Sequence, residues 1–279
     1  RWESPWSIGF PGWHLECTAM SRKYLGERFD IHGGGLDLLF PHHESEIAQS
    51  VCAFGCEPAK YWLHNNMITI GGQKMGKSLG NFITLNEFFD GKHPKLDKAY
   101  SPMTIRFFIL QAHYRSTLDF SNEALSAAEK GMKKLFEAQK NIDALPTSDK
   151  SSMDFSALFD KCIEAMCDDF NTPMVIAELF EITRLINLVA DRKESITKED
   201  KQALKENFAI IFNDILGMKN EQADNSIHIV DSLMQVILSL RKEARANKDW
   251  AKSDMIRDEL AKAGIVIKDG KEGASWTME

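Results

Sequence analysis

Residues 29–46 read Phe-Asp-Ile-His-Gly-Gly-Gly-Leu-Asp-Leu-Leu-Phe-Pro-His-His-Glu-Ser-Glu, and the interpretation of the first hundred residues begins there. Phe29 to His32 predict a short strand that enters a glycine turn at residues 33–35. A helix is predicted over 44–54 and a second strand over 66–70. Strand, glycine turn and helix in series are typical of an α/β layer with a parallel sheet. Ligands of such sheets bind at the carboxyl ends of the strands.

A second glycine-rich stretch, Gly-Gly-Gln-Lys-Met-Gly-Lys-Ser-Leu-Gly, occupies residues 71–80. Glycine allows positive φ and close approach of the backbone to a ligand. Lys74 and Lys77 add mobile positive charge, and Ser78 adds a hydroxyl. The composition suits a loop that closes over a polyphosphate, although a solvated turn has the same composition.

Three side chains before this loop are candidate metal ligands. His42 and Glu46 are four residues apart in a predicted helix, so they share one face. Cys17 precedes them in Gly-Trp-His-Leu-Glu-Cys, and cysteine, histidine and glutamate are all zinc ligands. The alternative is an ordinary pair on a helix surface together with a small core cysteine.

Composition limits the classes of protein that this chain can belong to. The chain has 279 residues, 43% of them hydrophobic, without an apolar run of the ~18 residues that a membrane span needs. Its five scattered cysteines argue against a disulfide scaffold and predict a reducing, cytoplasmic compartment. A net charge of −7 is unusual for a sequence-blind nucleic-acid binder, but it leaves room for local basic patches.

Helical periodicity begins near residue 101. Helices are predicted from Ser101-Pro102, over 121–141, over 155–168, from Asn171-Thr172-Pro173 to about 191, and over 198–216. Short links between them imply a bundle. Residues 220–226 look like a polar linker. A small unit then follows, with helices to about 246 and over 250–263, a strand at 265–267 and a turn at 268–270.

Several motifs, in order and at matching spacing, resemble cysteinyl-tRNA synthetases, a family of class I aminoacyl-tRNA synthetases. They are Gly12 to Cys17, Asp30 to Gly35, Phe40 to Glu46, Lys74 to Ser78, Asp168-Asp169-Phe170-Asn171-Thr172-Pro173, Ile256 to Leu260, Gly264-Ile265 and Asp269 to Trp276. The resemblance covers essentially the whole chain. It implies an α/β region followed by an all-α region, in which the C-terminal half of a Rossmann-like catalytic domain precedes a helical bundle and a small α+β anticodon-binding unit.

The resemblance also implies an activity and a set of site residues. The family activates L-cysteine with ATP, accompanied by Mg²⁺, and loads it onto tRNA(Cys). An active-site Zn²⁺ binds the substrate thiolate, and the matching ligands here are Cys17, His42 and Glu46. Trp13 matches the aromatic residue that closes over the substrate side chain, although a packed tryptophan is the alternative.

The nucleotide site is implied in the same way. Lys77 and Lys74 match the catalytic lysines of the class I signature loop, and Ser78 lies beside them. His32, Gly33, Gly34 and Gly35 resemble the turn near adenosine. Asp37 matches a ribose-binding position, for which an acidic residue at a helix N-terminus is the alternative. The signature loop usually has serine where this chain has Gly76.

Two family features do not occur in these residues: a His-x-Gly-His signature and a cysteine that serves as the fourth zinc ligand. We therefore expect a fragment that cannot activate cysteine alone. The expected domains are a partial catalytic domain at 1–100, a connecting helical segment at 101–120, a tRNA-binding bundle at 121–220 and an anticodon-binding unit at 225–279. We expect a monomer with no membrane partner.

A basic helix face is the candidate RNA contact in the last unit. It carries Arg241, Arg245 and Lys248, with Lys242 alongside and Trp250 and Trp276 nearby in sequence. Two other functions stay open. One is a non-catalytic tRNA-binding truncation, and the other is the related ligase that joins cysteine to an amino sugar in mycothiol synthesis. The second shares the zinc and nucleotide motifs but lacks a full anticodon-binding tail.

Overall fold

The computed structural model describes residues 1–247, 249–270 and 273–278. It divides the chain into two compact units, Arg1–Met218 and Lys219–Glu279. The first unit holds an α/β layer and a set of packed helices, and the second holds two helices and a β-hairpin. The expected succession of α/β, α and small α+β parts is confirmed.

The α/β layer is formed by helix α1 (Trp13–Leu25), strand β1 (Phe29–Gly35), helix α2 (Glu44–Phe54) and strand β2 (Ala59–Asn65). β1 and β2 are parallel, with Ile31 opposite Tyr61 and Gly34 opposite His64. A parallel pair was expected, but the prediction placed the second strand at 66–70. The strand that pairs with β1 is not evident in the sequence, because it contains the polar residues Lys60, His64 and Asn65.

The predicted turn at residues 33–35 is wrong, because all three glycines continue β1. The reason is close packing rather than chain reversal. A Cβ on Gly34 would lie 2.8 Å from Cε1 of the buried His43. Glycine at this position therefore makes room for the imidazole ring.

A small sheet carries the second glycine-rich stretch. Strand β3 (Ile68–Ile70) is antiparallel to β4 (Gln73–Lys74) and parallel to β5 (Leu118–Phe120). A 3₁₀ turn at Lys77–Leu79 follows β4. Helix α3 (Leu85–Asp90) begins with a capping box, in which Thr84 and Glu87 satisfy each other's backbone N–H groups.

The predicted helices after residue 101 are confirmed. They are α4 (Pro102–Leu110), α5 (Asn122–Ile142), α6 (Ser156–Cys167), α7 (Thr172–Ala190) and α8 (Lys198–Ala209), and a π-helical turn at Ile210–Ile215 continues α8. Local signals set their starts: Ser101, Ser121 and Asn171 each accept a first-turn N–H with their side-chain oxygen. Leu125, Leu135 and Leu179 are completely buried between these helices.

The second unit contains helices α9 (Glu221–Ala246) and α10 (Trp250–Lys262) and the antiparallel strands β6 (Ile265–Gly270) and β7 (Gly273–Met278). The predicted linker at 220–226 is wrong, because α9 begins at Glu221. Glu, Gln and Ala at 221–223 are good helix formers, so a polar composition is compatible with a first helical turn. The predicted turn at 268–270 is also wrong, because these residues pair with 273–275 in the hairpin.

Within the described residues, none of the helices combines the length and the apolar character that crossing a bilayer would require.

Candidate metal centre and lysine loop

The three predicted metal ligands converge in the α/β layer. Cys17 lies in α1, Glu46 in the first turn of α2, and His42 just before α2. The Sγ of Cys17, a ring nitrogen of His42 and a carboxylate oxygen of Glu46 all lie within 4.8 Å of one another. A hydrogen bond of 2.8 Å from Thr18 Oγ1 to Gln49 Oε1 joins α1 to α2 beside them. The fold therefore brings α1 and α2 together where the candidate ligands meet.

The carboxylate of Glu46 is buried, with 1% of the residue exposed. Its Oε2 lies 2.9 Å from Nε2 of His32. Its Oε1 lies 3.0 Å from Nε2 of His42, yet no donor among the described residues forms a hydrogen bond with this oxygen. A buried anionic oxygen without a donor is costly unless a cation neutralises it. Cysteine, histidine and glutamate together form a donor set that zinc prefers, so these residues fit Zn²⁺.

The electrostatic environment of Cys17 also favours a bound cation. Burial raises the pKa of the Cys17 thiol, and the nearby carboxylates of Glu46 and Glu16 raise it further. The thiol therefore stays protonated unless a positive charge is brought close. A metal ion supplies that charge, because a coordinating thiol loses its proton.

A second group of close ligand atoms lies beside the three candidate metal ligands. His32, His43 and Glu46 also place ligand atoms within 4.8 Å of one another. His43 is buried, and its Nδ1 lies 2.8 Å from Nε2 of His64. Burial, together with the neighbouring His32, His64 and His42, lowers the pKa of His43 to about 4, so its imidazole is neutral near neutral pH. Because His32 and His43 each have a protein partner for a ring nitrogen, we assign them as residues that hold the Cys17 group in place.

The sequence missed part of this support. His14 belongs to it, because its Nδ1 lies 2.8 Å from Nε2 of Gln49, whose Oε1 accepts the Thr18 hydroxyl hydrogen. Gln49 follows Glu46 by almost one turn of α2, and helical spacing was the signal that could have identified it.

The predicted substrate residues lie in α1 and β1 or just after β1. Trp13 is the first residue of α1, and 76% of it is exposed. Asp37 lies in a 3₁₀ turn after β1, and a Cβ on Gly35 would clash with its carboxylate oxygen Oδ1. His32, predicted to lie near adenosine, directs Nε2 at Glu46. The roles of Trp13, Asp37, Gly33, Gly34 and Gly35 in binding stay predictions.

The lysine loop, residues 71–80, begins as a hairpin turn between β3 and β4. Gly71 and Gly72 have φ of 58° and 76°, a conformation that favours glycine. Lys74 lies in β4 and Lys77 in the following 3₁₀ turn, and both side chains are exposed. Gly76 has an extended backbone with φ of −165°, which any residue adopts. The serine that is usual at this position in the family would therefore fit.

Two polar side chains outside the lysine loop hold its backbone. Asp119 Oδ1 accepts the N–H of Gly72 at 2.9 Å. The buried Asn81 accepts the N–H of Gly76 at 2.9 Å and donates to the carbonyl oxygen of Lys74 at 3.0 Å. Sequence reasoning missed both residues. Asp119 lies in β5, so no local pattern connects it to the loop.

Only part of the predicted basic face of α9 is exposed in the structure. Arg241 is only 5% exposed, so it is buried rather than part of an open basic surface. Lys242 and Arg245 are exposed. Lys248 lies outside the described residues. Any RNA contact on this helix therefore rests on Arg245 and Lys242 rather than on Arg241.

Comparison with known families agrees with this arrangement. Residues 1–130 match the model described as tRNA synthetases class I (C) catalytic domain, residues 161–220 match the DALR domain, and residues 231–276 match the cysteinyl-tRNA ligase anticodon binding domain. The α/β layer with its candidate metal group and lysine loop thus lies in the region that matches the catalytic domain of class I aminoacyl-tRNA synthetases.

Similar proteins of known name identify the family within this class. The chain is 59% identical to the cysteine–tRNA ligase of Parabacteroides distasonis and 58% identical to that of Porphyromonas gingivalis, in both cases over its whole length. The chain belongs to the cysteinyl-tRNA synthetase family. It spans 57% of the length of each of these curated relatives.

Proposed function

We propose that this chain carries the metal-binding and phosphate-binding part of an enzyme that activates cysteine with ATP and transfers it to tRNA(Cys). The observation that carries the proposal is the convergence of Cys17, His42 and Glu46 within 4.8 Å. The names of the relatives, which are 59% and 58% identical, support the same activity. Because the chain spans 57% of their length, the activity of the whole enzyme is part of the proposal.

Cys17, His42 and Glu46 would hold the zinc ion. When bound, Zn²⁺ supplies a soft Lewis acid that prefers thiolate sulfur to a serine hydroxyl. His32 orients the Glu46 carboxylate, and burial keeps water away from its oxygens. The exposed Trp13 is placed at the start of the helix that carries Cys17, where it can cover the side chain of the substrate.

The lysine loop would act on the nucleotide. A carboxylate oxygen of cysteine attacks the α-phosphorus of ATP, the bond from that phosphorus to the oxygen bridging the α- and β-phosphates breaks, and pyrophosphate leaves. Lys77 and Lys74 stabilise the negative charge that develops on the phosphates, with Ser78 as a further donor. Asp37 accepts a ribose hydroxyl hydrogen. A hydroxyl of the terminal tRNA ribose then attacks the acyl carbon, and AMP leaves.

The remaining parts would bind tRNA. We propose a catalytic part at 1–100, a connecting segment at 101–120, a tRNA-binding bundle at 121–220 and an anticodon-binding unit at 225–279. The matches to the DALR domain and to the anticodon binding domain support these roles. The second match also favours this function over the ligase of mycothiol synthesis.

Calorimetric titration of the zinc-loaded chain with L-cysteine and with L-serine tests the proposal. We expect cysteine to bind at least about 100-fold more tightly, because a site built for one polar group discriminates strongly against another. The Cys17→Ser variant should lose this preference. Equal binding of cysteine and serine by the wild-type chain would exclude the proposed site. In an ATP–pyrophosphate exchange assay we expect no cysteine-dependent turnover by the 279-residue chain alone.

A further inference from the structure

The motif Asp168-Asp169-Phe170-Asn171-Thr172-Pro173 has no role in the site described above. It forms the turn between α6 and α7. Asp169 and Phe170 both have φ of 56°, a left-handed conformation that non-glycine residues adopt only at a cost. Two such residues in succession persist only where the surrounding contacts hold them. The turn is therefore held in place by specific contacts.

The carboxylate of Asp169 makes those contacts with a distant segment. Tyr114 donates its hydroxyl hydrogen to Asp169 Oδ1 at 2.6 Å. The Nε of Arg115 lies 2.8 Å from Asp169 Oδ2. Nearby, the hydroxyl of Thr172 donates to the carbonyl oxygen of Leu110 at 2.8 Å. The turn is thus fastened to the end of α4 and to the chain between α4 and β5.

The same segment holds the entry to β3 through its backbone. The N–H of Asn66 donates to the carbonyl oxygen of Tyr114 at 2.8 Å. The side-chain amide of Asn66 donates to the carbonyl oxygen of Arg115 at 3.0 Å. Asn66 lies between β2 and β3, so the two residues that bind Asp169 also fix the link that leads into the lysine loop.

The connection continues to the loop itself. β5 follows Arg115 and lies parallel to β3. Asp119 of β5 accepts the Thr69 hydroxyl hydrogen at 2.6 Å and the Gly72 N–H at 2.9 Å. An unbroken series of hydrogen bonds and covalent links therefore joins Asp169 to the base of the lysine loop.

We propose that Asp169 is a positioning residue for the lysine loop. Its carboxylate holds Tyr114 and Arg115, and their backbone sets Asn66, β3 and the loop that follows. The significance of the loop for phosphate binding rests on the proposed function. The geometric part does not, because it concerns only the placement of β3 and the loop. The turn lies in the helical region proposed to bind tRNA, so Asp169 also connects that region to the phosphate-binding loop.

Hydrogen exchange measured by mass spectrometry on the whole 279-residue chain tests this. The test variant is Asp169→Asn, because asparagine keeps the size of the side chain and tolerates the left-handed conformation. The charge is lost, and one acceptor oxygen is replaced by an NH₂ donor. The matched control is Asp168→Asn, which neutralises the exposed neighbouring carboxylate.

We expect peptides covering 66–76 to exchange about fivefold faster or more in Asp169→Asn, the factor for losing about one hydrogen bond. Peptides within α7 should keep their wild-type rates, and Asp168→Asn should match wild type throughout. Unchanged exchange at 66–76 would overturn the proposal, and so would equal acceleration at 66–76 and in α7, which indicates general destabilisation. If Asp169→Asn does not fold, Tyr114→Phe decides by the same comparison. No ATP, cysteine or tRNA is needed, so the proposed function can fail independently.

Discussion

Glu46 and His32 meet at 2.9 Å between Oε2 and Nε2, although they lie 14 residues apart on a helix and a strand. This contact engages one carboxylate oxygen, and the other oxygen lies 3.0 Å from the Nε2 of His42. The carboxylate is therefore oriented before any metal binds. Outer partners of this kind fix the orientation of a ligand and raise metal affinity.

Replacement of His32 by phenylalanine should weaken zinc binding. We expect a loss of about 10- to 100-fold in affinity, the usual effect of removing a partner that orients a ligand. Competition with a chromophoric chelator measures it. His93→Phe is the control, because His93 lies in the loop after α3, where its ring nitrogen Nδ1 accepts the Lys95 N–H. Equal zinc affinity in His32→Phe and wild type would contradict the orienting role.

Replacement of Cys17 by serine should remove most of the bound zinc. A hydroxyl is a much poorer zinc ligand than a thiolate, and two ligands hold zinc less well than three. Elemental analysis after dialysis against trace zinc measures the metal content per chain. Cys52→Ser, at an exposed position on the next helix, should retain the wild-type content. Retention of zinc by Cys17→Ser would place the metal elsewhere.

The buried Cys162 should make stability fall in alkali. Burial, with a smaller contribution from Glu178, raises the pKa of this thiol to about 12. Because the folded pKa lies above the unfolded one, the stabilising effect is complete below pH 9 and is lost as the pH rises toward 12. Between about pH 8 and about pH 10.5 this thiol should cost about 2 kcal/mol of unfolding free energy.

Urea unfolding of wild type and Cys162→Ala at both pH values measures this effect. Alanine leaves a small cavity, so the variant should be less stable near neutral pH. It has no group that ionises, and the difference between the two proteins should therefore shrink by about 2 kcal/mol in alkali. A difference that is the same at both pH values would show that Cys162 does not titrate on unfolding.

The exposed Arg245 should contribute to tRNA binding by the second unit. In a filter-binding assay of the whole chain with a tRNA(Cys) transcript, Arg245→Ala should weaken binding and lower the salt slope by about 1. Arg241 is unsuitable for this test, because it is buried and its replacement would perturb the fold. Lys262→Ala, at the end of α10, is the control. An unchanged salt slope in Arg245→Ala would remove this residue from the interface.

Helix starts were predictable because their signals are local. The Asn171 side chain accepts the N–H of Met174, and Pro173 lies in the first turn of α7. Both features act within a few residues of the helix end. Predictions failed where a distant partner decided the conformation. The glycines at 33–35 read as a turn, but they pair with residues 63–65 of β2, and His43 packs against Gly34.

The amino-acid sequence by itself determined the boundaries of α4 to α8, the candidate metal-ligating residue types and the lysine-bearing loop, because capping, helical spacing and side-chain chemistry are properties of neighbouring residues. Only the tertiary structure decided which groups support them. Asp119 reaches Gly72 across 47 residues, and Tyr114 reaches Asp169 across 55. Such contacts depend on how strands and helices pack, and that arrangement is a property of the whole unit rather than of any short segment.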